Sequence, residues 1–242
     1  MLVTRPEPDA SETAARLGAL GIEGVPSPLL VQQTLPASLP DAAGFAAITV
    51  TSTNALRALA DRGVLDRYLG LPLYAVGTRT AAVAEAMGFA QVSHAPGGNF
   101  GSLVELLAHA PLSGPIFYPA ARDMSGDLAK SLAPFGRMVI TAEVYAMNAV
   151  EELPAPAVAG LAAGSLGAVL LYSRRTAETF VRLADAHVDR LERRQLGMLC
   201  LSEAVAEPLF DAHFVRVGLA EQPSEQAMMG LALSFSRDHN AT

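Results

Sequence analysis

The 242-residue chain has one cysteine, no tryptophan and only 17% charged residues. A single cysteine permits no disulfide framework. Cys200 lies in the strand-like run Met198-Leu199-Cys200-Leu201, where a thiol serves as a small apolar side chain rather than a nucleophile. The thiol pair of a cofactor-independent racemase is excluded for the same reason. No apolar run reaches the ~18–20 residues of a membrane span, and only Leu2 and Val3 are apolar before Arg5-Pro6. Neither insertion nor export is indicated, so a cytoplasmic protein without membrane contact is expected. A net charge of −7 with 17 Lys+Arg leaves no basic face for nucleic acid, and any anionic ligand must be held by a local cluster. No G-x-G-x-x-G follows a strand, and Gly97-Gly98-Asn99-Phe100-Gly101-Ser102 lacks the lysine that a triphosphate loop needs. The five histidines, His94, His109, His187, His213 and His239, have no ligand spacing, and no G-x-S-x-G elbow occurs. Neither metal nor cofactor is expected.

What the chain does have is 51% hydrophobic residues and a pattern that occurs twice in permuted order. Ile48-Thr49-Val50 feeding Thr51-Ser52-Thr53 recurs 121 positions later as Val169-Leu170-Leu171 feeding Tyr172-Ser173-Arg174. A shift of 125 lays Gly77 on Ser202, Ala81 on Ala206, Phe89 on Phe214, Val92 on Val217 and Leu103 on Met228. A shift of 115 lays Leu17 on Leu132, Leu20 on Phe135 and Gly21 on Gly136. Two similar α/β domains facing each other across a cleft are the expected result.

Short β-rich runs alternate with helical patterns throughout, which predicts parallel sheets flanked by helices. Strands are expected near 1–4, 22–26, 45–51, 73–76, 90–93, 115–118, 137–144, 167–172, 197–201 and 214–217, dividing five and five. Helix caps are expected at Asp9 or Ser11, Thr53, Thr78 and Ser224. Proline-rich connectors, Leu35 to Pro40 and Glu152 to Pro156, bracket a central block. That bracketing permits a domain of 1–34 plus 150–242 enclosing one of 37–148, while the repeats alone equally allow a tandem.

Open parallel sheets bind ligands at the carboxyl ends of their strands. Those ends carry Thr4-Arg5-Pro6, Thr51-Ser52-Thr53, Gly77-Thr78-Arg79-Thr80, Pro96-Gly97-Gly98-Asn99, Ala120-Ala121-Arg122, Tyr172-Ser173-Arg174 and Leu201-Ser202-Glu203. Hydroxyls, glycines and arginines suit several carboxylates or phosphates, and catalytic acids and bases are scarce. The plainer alternatives are that Ser52, Thr53 and Ser173 only cap helices and that Arg5, Arg79 and Arg122 are solvated charges.

Thr4-Arg5-Pro6, Thr51-Ser52-Thr53-Asn54-Ala55, Ala75-Val76-Gly77-Thr78-Arg79-Thr80-Ala81, Gly98-Asn99 before Leu103-Val104-Glu105-Leu106-Leu107, and Val144-Tyr145 together resemble the uroporphyrinogen-III synthase family over nearly the whole chain. The resemblance implies two flavodoxin-like (Rossmann-like) domains, one inserted in the other, joined by a two-stranded β-ladder near 29–35 and 143–149. It thereby favours 37–148 as an insert between 1–34 and 150–242. It implies a lyase that closes hydroxymethylbilane to uroporphyrinogen III with loss of water and inversion of ring D, without a cofactor. It further implies a monomer that contacts the preceding pathway enzyme only transiently. On this resemblance Tyr145 matches the tyrosine that assists departure of the hydroxyl, a packing role being the alternative. Ser52, Thr80, Gly98, Asn99 and Ser173 match positions lining the cleft, and Arg5, Thr53, Arg122 and Ser202 complete the expected substrate contacts. The turn Ser202-Glu203-Ala204-Val205 departs from the family's Gly-Pro-Thr-Thr-like pattern, leaving Ser202 and backbone N–H groups to bind a carboxylate there. A rival reading is a two-domain cytoplasmic binding or regulatory protein without turnover, which needs neither a tyrosine at the hinge nor arginines on both domains.

Overall fold

The computed structural model describes residues 1–124, 126–189 and 191–240, with side chains to Asp238. In chain order the elements are β1 (Leu2–Val3), α1 (Asp9–Ala19), β2 (Val25–Pro26), β3 (Leu30–Thr34), β4 (Ala47–Val50), α2 (Thr53–Asp61), β5 (Leu73–Ala75), α3 (Thr78–Ala86), β6 (Val92–His94), α4 (Phe100–His109) and β7 (Ile116–Ala121). They continue with α5 (Leu128–Leu132), β8 (Val139–Ala149), α6 (Ala155–Ala162), β9 (Ala168–Leu171), α7 (Arg174–Ala184), α8 (Glu192–Gln195), β10 (Gly197–Cys200), α9 (Glu203–Asp211), β11 (Arg216–Leu219) and α10 (Glu225–Asn240). By contacts the chain divides into unit 1, Met1–Val31 with Asn148–Thr242, and unit 2, Gln32–Met147.

Unit 1 is built on a sheet ordered β11-β10-β9-β1-β2, each neighbouring pair parallel. Numbered within the unit, this is the 2-1-3-4-5 order of flavodoxin-like folds. Unit 2 carries the order β3-β8-β7-β4-β5-β6, parallel from β8 to β6. β3 lies beside β8, with Leu35 N–H donating to Val144 O at 2.8 Å and Val150 N–H to Leu29 O at 3.0 Å. The chain passes between the units on these two strands. The expected five-and-five division thus becomes five and six, because β3 adds a strand to the second sheet.

The internal repeat holds at the level of strand register. Leu2 pairs with Val169 and Val25; Phe117, 115 positions on, pairs with Ile48 and Ile140, the counterparts of Val169 and Val25. Ile48 pairs with Leu73 and Leu73 with Val92, just as Val169 pairs with Met198 and Met198 with Val217. The two sheets therefore share one spatial arrangement threaded in circularly permuted order. Even the turns agree: Gly21 and Gly136, equivalent positions after α1 and α5, both sit at positive φ, 76° and 68°, where a side chain would be strained.

Each sheet is buried on both faces. β4, β9 and β10 are buried at every residue, which is why they read as unbroken apolar runs rather than alternating ones. In unit 2 one face packs Ile48, Val50, Leu73 and Phe117, and the other Ile116, Tyr118, Ala120 and Leu103. Helices supply the matching faces: α7 buries Thr176, Ala177, Phe180, Leu183 and Ala184 at helical spacing. Cutting one such core leucine to alanine costs about 2–5 kcal/mol, so the layers are what hold the strand ends in place.

Three helix caps differ from expectation. Ser52 is the N-cap of α2, its hydroxyl accepting from Asn54 N–H, and Thr53 is already helical. Gly77 rather than Thr78 precedes α3, and α1 follows Pro8 without a side-chain cap. A hydroxyl caps only where its own backbone is extended, and Ser52, at φ −156°, has that conformation.

Candidate active site

In unit 2 the loops at the carboxyl edge of the sheet gather most of the expected residues. Ser52 leaves β4 and Thr53 opens α2; Thr80 lies in the first turn of α3 at 7% exposure. Gly98 follows β6 at φ 62°, close to the end of β5, since a Cβ on Gly77 would stand 3.3 Å from Gly98 Cα. Asn99 caps α4: its carboxamide oxygen accepts from Ser102 N–H at 2.9 Å and its nitrogen donates to Gly97 O at 3.1 Å. That side chain is spent on its own loop, so the loop's remaining backbone N–H groups are what it can offer a ligand. Arg122 extends from the end of β7, half-exposed, 3.8 Å from Glu143, and its backbone N–H donates to Tyr145 O at 2.8 Å.

Tyr145 owes its position to an irregularity in β8. Val139 to Glu143 pair one for one with Ile116 to Ala120, and then Ala121 pairs with Tyr145, leaving Val144 as an extra residue. Side chains alternate along a strand, so unbroken pairing would send Tyr145 to the face of Tyr118 and Ala120. The bulge instead turns it to the face of Phe117, where it packs with Val144, Ile48 and Val50. Ser52 leaves β4 on that same face, beside the Tyr145 phenol. Tyr145 is 5% exposed. Burial raises its pKa above the ordinary 10, the Ser52 side chain opposes that rise, and the neighbouring Tyr118 adds to it. The phenol therefore stays protonated throughout the neutral range. The Ser52 oxygen accepts from Asn54 N–H, which fixes its place beside the phenol.

Tyr118 and Thr51, absent from the expected substrate contacts, form a phenol–hydroxyl pair on the opposite face of the sheet, their oxygens 3.0 Å apart. Nothing local in the sequence signals this pair, since it is made across β4 and β7, 67 residues apart.

Unit 1 carries the remaining expected residues at the ends of β1, β9 and β10. Ser173 caps α7, accepting from Thr176 N–H at 3.2 Å, and is 2.7 Å from Thr176 Oγ1. Ser202 stands at the start of α9 without a side-chain cap bond. Arg5 is engaged by side chains of its own unit. Its guanidinium binds Glu225 at 2.5 Å, Asp9 at 2.7 Å and the Thr13 hydroxyl at 3.3 Å, and lies 4.4 Å from the centre of the Tyr172 ring. The side chain is 14% exposed and already faces two carboxylates. It ties β1, α1, β9 and α10 together.

Comparison with known proteins gives this geometry its context. The model of the uroporphyrinogen-III synthase HemD family matches residues 11–230. The chain belongs to the uroporphyrinogen-III synthase family. A uroporphyrinogen-III synthetase structure from Helicobacter pylori 26695 superposes with a TM-score of 0.66 at 19% identity, covering 96% of this chain and 98% of that one. A mutant uroporphyrinogen III synthase from the extremely thermophilic bacterium Thermus thermophilus gives 0.54 at 15% identity, covering 100% and 99%. At such identities these structures support the fold. No curated protein matches the sequence. Among the described residues no cluster of three or more His, Cys, Asp or Glu is placed to hold a metal ion, and no helix is long and apolar enough to cross a membrane. The side chain of His239 lies outside those described.

Proposed function

We propose that this uroporphyrinogen-III synthase acts mainly by shaping its substrate, with Tyr145 as the hydrogen-bond donor to the departing hydroxyl. The reaction closes hydroxymethylbilane to uroporphyrinogen III with loss of water. Loss of the hydroxyl leaves an electrophilic azafulvene, and attack by the substituted carbon of ring D forms a spirocyclic pyrrolenine. Fragmentation and reclosure then deliver the inverted ring. Unaided closure skips the inversion, so the catalyst's task is to make the substituted carbon the nearer nucleophile, an orientation effect. The scarcity of acids and bases at the strand ends fits such a task.

The observation that carries the assignment of Tyr145 is the β8 bulge, which turns a protonated phenol toward Ser52 at the edge of the sheet. A positioned neutral donor stabilises negative charge developing on a leaving oxygen without itself giving up its proton. The eight carboxylates of the substrate call for distributed anchors. In unit 2 we assign these to Arg122, the Ser52 and Thr53 hydroxyls, Thr80, and the backbone around Gly98 and Asn99. In unit 1 the candidates are Ser173 and Ser202. A cytoplasmic monomer, meeting the preceding pathway enzyme only transiently, is the form in which we expect it to act.

Incubating the purified protein with hydroxymethylbilane and separating the uroporphyrinogen I and III isomers tests the function; the III isomer is expected, and formation of only the I isomer refutes it. Tyr145→Phe should slow formation of the III isomer by about 10–10³-fold, the range of one positioned donor, and leave isomer choice intact. Complete loss of turnover in a folded Ser52→Ala protein would instead indicate direct acid–base or nucleophilic chemistry at Ser52.

A further inference from the structure

The end of β4 is held from both faces of its sheet. Thr51 and Ser52 are consecutive, so their side chains leave on opposite sides. Ser52 stands on the face of Tyr145 on one side, while on the other Thr51 Oγ1 lies 3.0 Å from the Tyr118 hydroxyl. Tyr118 belongs to the Ile116, Ala120 and Leu103 cluster and is 3% exposed. It lies on the face opposite Tyr145, with its hydroxyl taken up by Thr51.

The architecture does not require a phenol at this position. Under the 115-residue offset that superposes the strand registers, the counterpart of Tyr118 is Val3, which is fully buried in β1 and fills the equivalent position without a polar atom. The counterpart of Thr51 is Tyr172, and that of Tyr145 is Leu30. Neither phenol–hydroxyl pair of unit 2 is repeated at these equivalent positions of unit 1. Burying a phenol where valine suffices carries a desolvation cost that its hydrogen bond offsets only in part. The two pairs also share one turn, so the direction in which Ser52 presents its hydroxyl depends on how Thr51 is held.

We infer that Tyr118 is a positioning residue: through its hydrogen bond to Thr51 it fixes the Thr51–Ser52 turn, and thereby the orientation of the Tyr145 phenol. This rests on the reading of Tyr145 as the donor. A paired donor in one orientation is already organised for the transition state, whereas a free hydroxyl rotor must be ordered during the reaction.

The test is a double-mutant cycle on the full-length protein, following kcat and KM for formation of the III isomer with hydroxymethylbilane as substrate. Tyr118→Phe should lower kcat by about 5–30-fold at unchanged KM, and in a Tyr145→Phe background the same change should lower it by less than about twofold. Thr51→Val should reproduce the loss and Thr51→Ser should recover most of it, since serine keeps the hydroxyl. Should Tyr118→Phe fail to fold, judged by near-ultraviolet circular dichroism, the Thr51 variants decide by the same criteria. Unchanged kcat in Tyr118→Phe, or an equal loss in both backgrounds, overturns the positioning role while leaving Tyr145 as donor. An unchanged kcat in Tyr145→Phe alone overturns the donor reading, and with it this inference.

Discussion

Arg5→Ala should be a stability mutant of unit 1. Arg5, Asp9 and Glu225 are 14%, 19% and 20% exposed, with ion-pair distances of 2.7 and 2.5 Å. At an effective dielectric of ~20 each contact is worth several kcal/mol gross, and desolvation of the three groups offsets most of it. Truncation is not neutral, because it removes the guanidinium that Asp9 and Glu225 share, leaving Glu225 with the Thr13 hydroxyl and with Arg16 at 4.0 Å. The expected cost is about 2–4 kcal/mol, toward the lower end of broken buried pairs because some solvent reaches all three groups. Hydrogen exchange read by mass spectrometry assays this unit by unit: amides of β1, α1 and α10 should lose protection, and those of β4, β5 and β7 should keep it. A second substitution sharpens the sign. Glu225→Gln should destabilise the wild type and cost at least about 1 kcal/mol less in the Arg5→Ala background, where its nearest cationic partner is already gone. If Arg5→Ala leaves protection unchanged and raises KM in a manner relieved by salt, Arg5 is a substrate anchor after all.

Three other outcomes follow from the same structure. Because the pKa of Tyr145 is raised above 10 and its proposed role needs the protonated form, kcat should show no alkaline fall from this group below about pH 10; a Tyr145-dependent fall centred near pH 8, absent in Tyr145→Phe, would contradict the burial argument. Cys200 is fully buried and its thiol pKa is pushed up to about 12, so alkylation at pH 8 should proceed only as fast as unit 1 opens, and rapid labelling of native protein would refute this. His213 holds φ 64° at the position equivalent to Gly88, which has φ 105°, so His213→Gly should raise stability by about 0.5–1 kcal/mol in urea unfolding, and a lower midpoint would show that its side chain matters more than its backbone strain.

The fold was legible where burial acts along the chain itself. β4 and β9 are buried on both faces and so appear as short apolar runs, and the 115, 121 and 125 offsets hold because paired strands cannot slip by one residue without inverting every side chain. Helix caps were legible as residue types and wrong by one position at α2 and α3, where the backbone conformation decides which neighbour caps. What escaped was whatever depends on a partner far along the chain. Arg5 at a strand end looks like an anion anchor until Glu225, 220 residues away, is seen to occupy it. The β8 bulge is invisible for the same reason, since Val144 is an extra residue only relative to β7. Tyr118 reads as an ordinary strand tyrosine until β4 brings Thr51 beside it.

Registers that agree to the residue in both units make the chemical differences between equivalent positions informative. Where unit 1 places Arg5 and Glu225, unit 2 has Ala120 and Phe100, with Phe100 packed so closely that a Cβ on Gly126 would stand 2.9 Å from its ring. Where unit 2 places Tyr118 and Tyr145, unit 1 has Val3 and Leu30. Both solutions satisfy the same backbone, so the fold alone selects neither. The ion cluster of unit 1 engages its guanidinium with two carboxylates and joins four elements, whereas unit 2 keeps a protonated phenol beside Ser52. The second arrangement suits action on a departing hydroxyl. Transplanting the cluster tests that division of labour: Tyr145→Leu with Tyr118→Val, which copies unit 1 into unit 2, should preserve folding because valine and leucine already fit this register, and should lower kcat for the III isomer by no more than Tyr145→Leu alone. A double variant that is folded yet much slower than that single would mean that Tyr118 contributes independently of Tyr145, and that the two phenols are not one device.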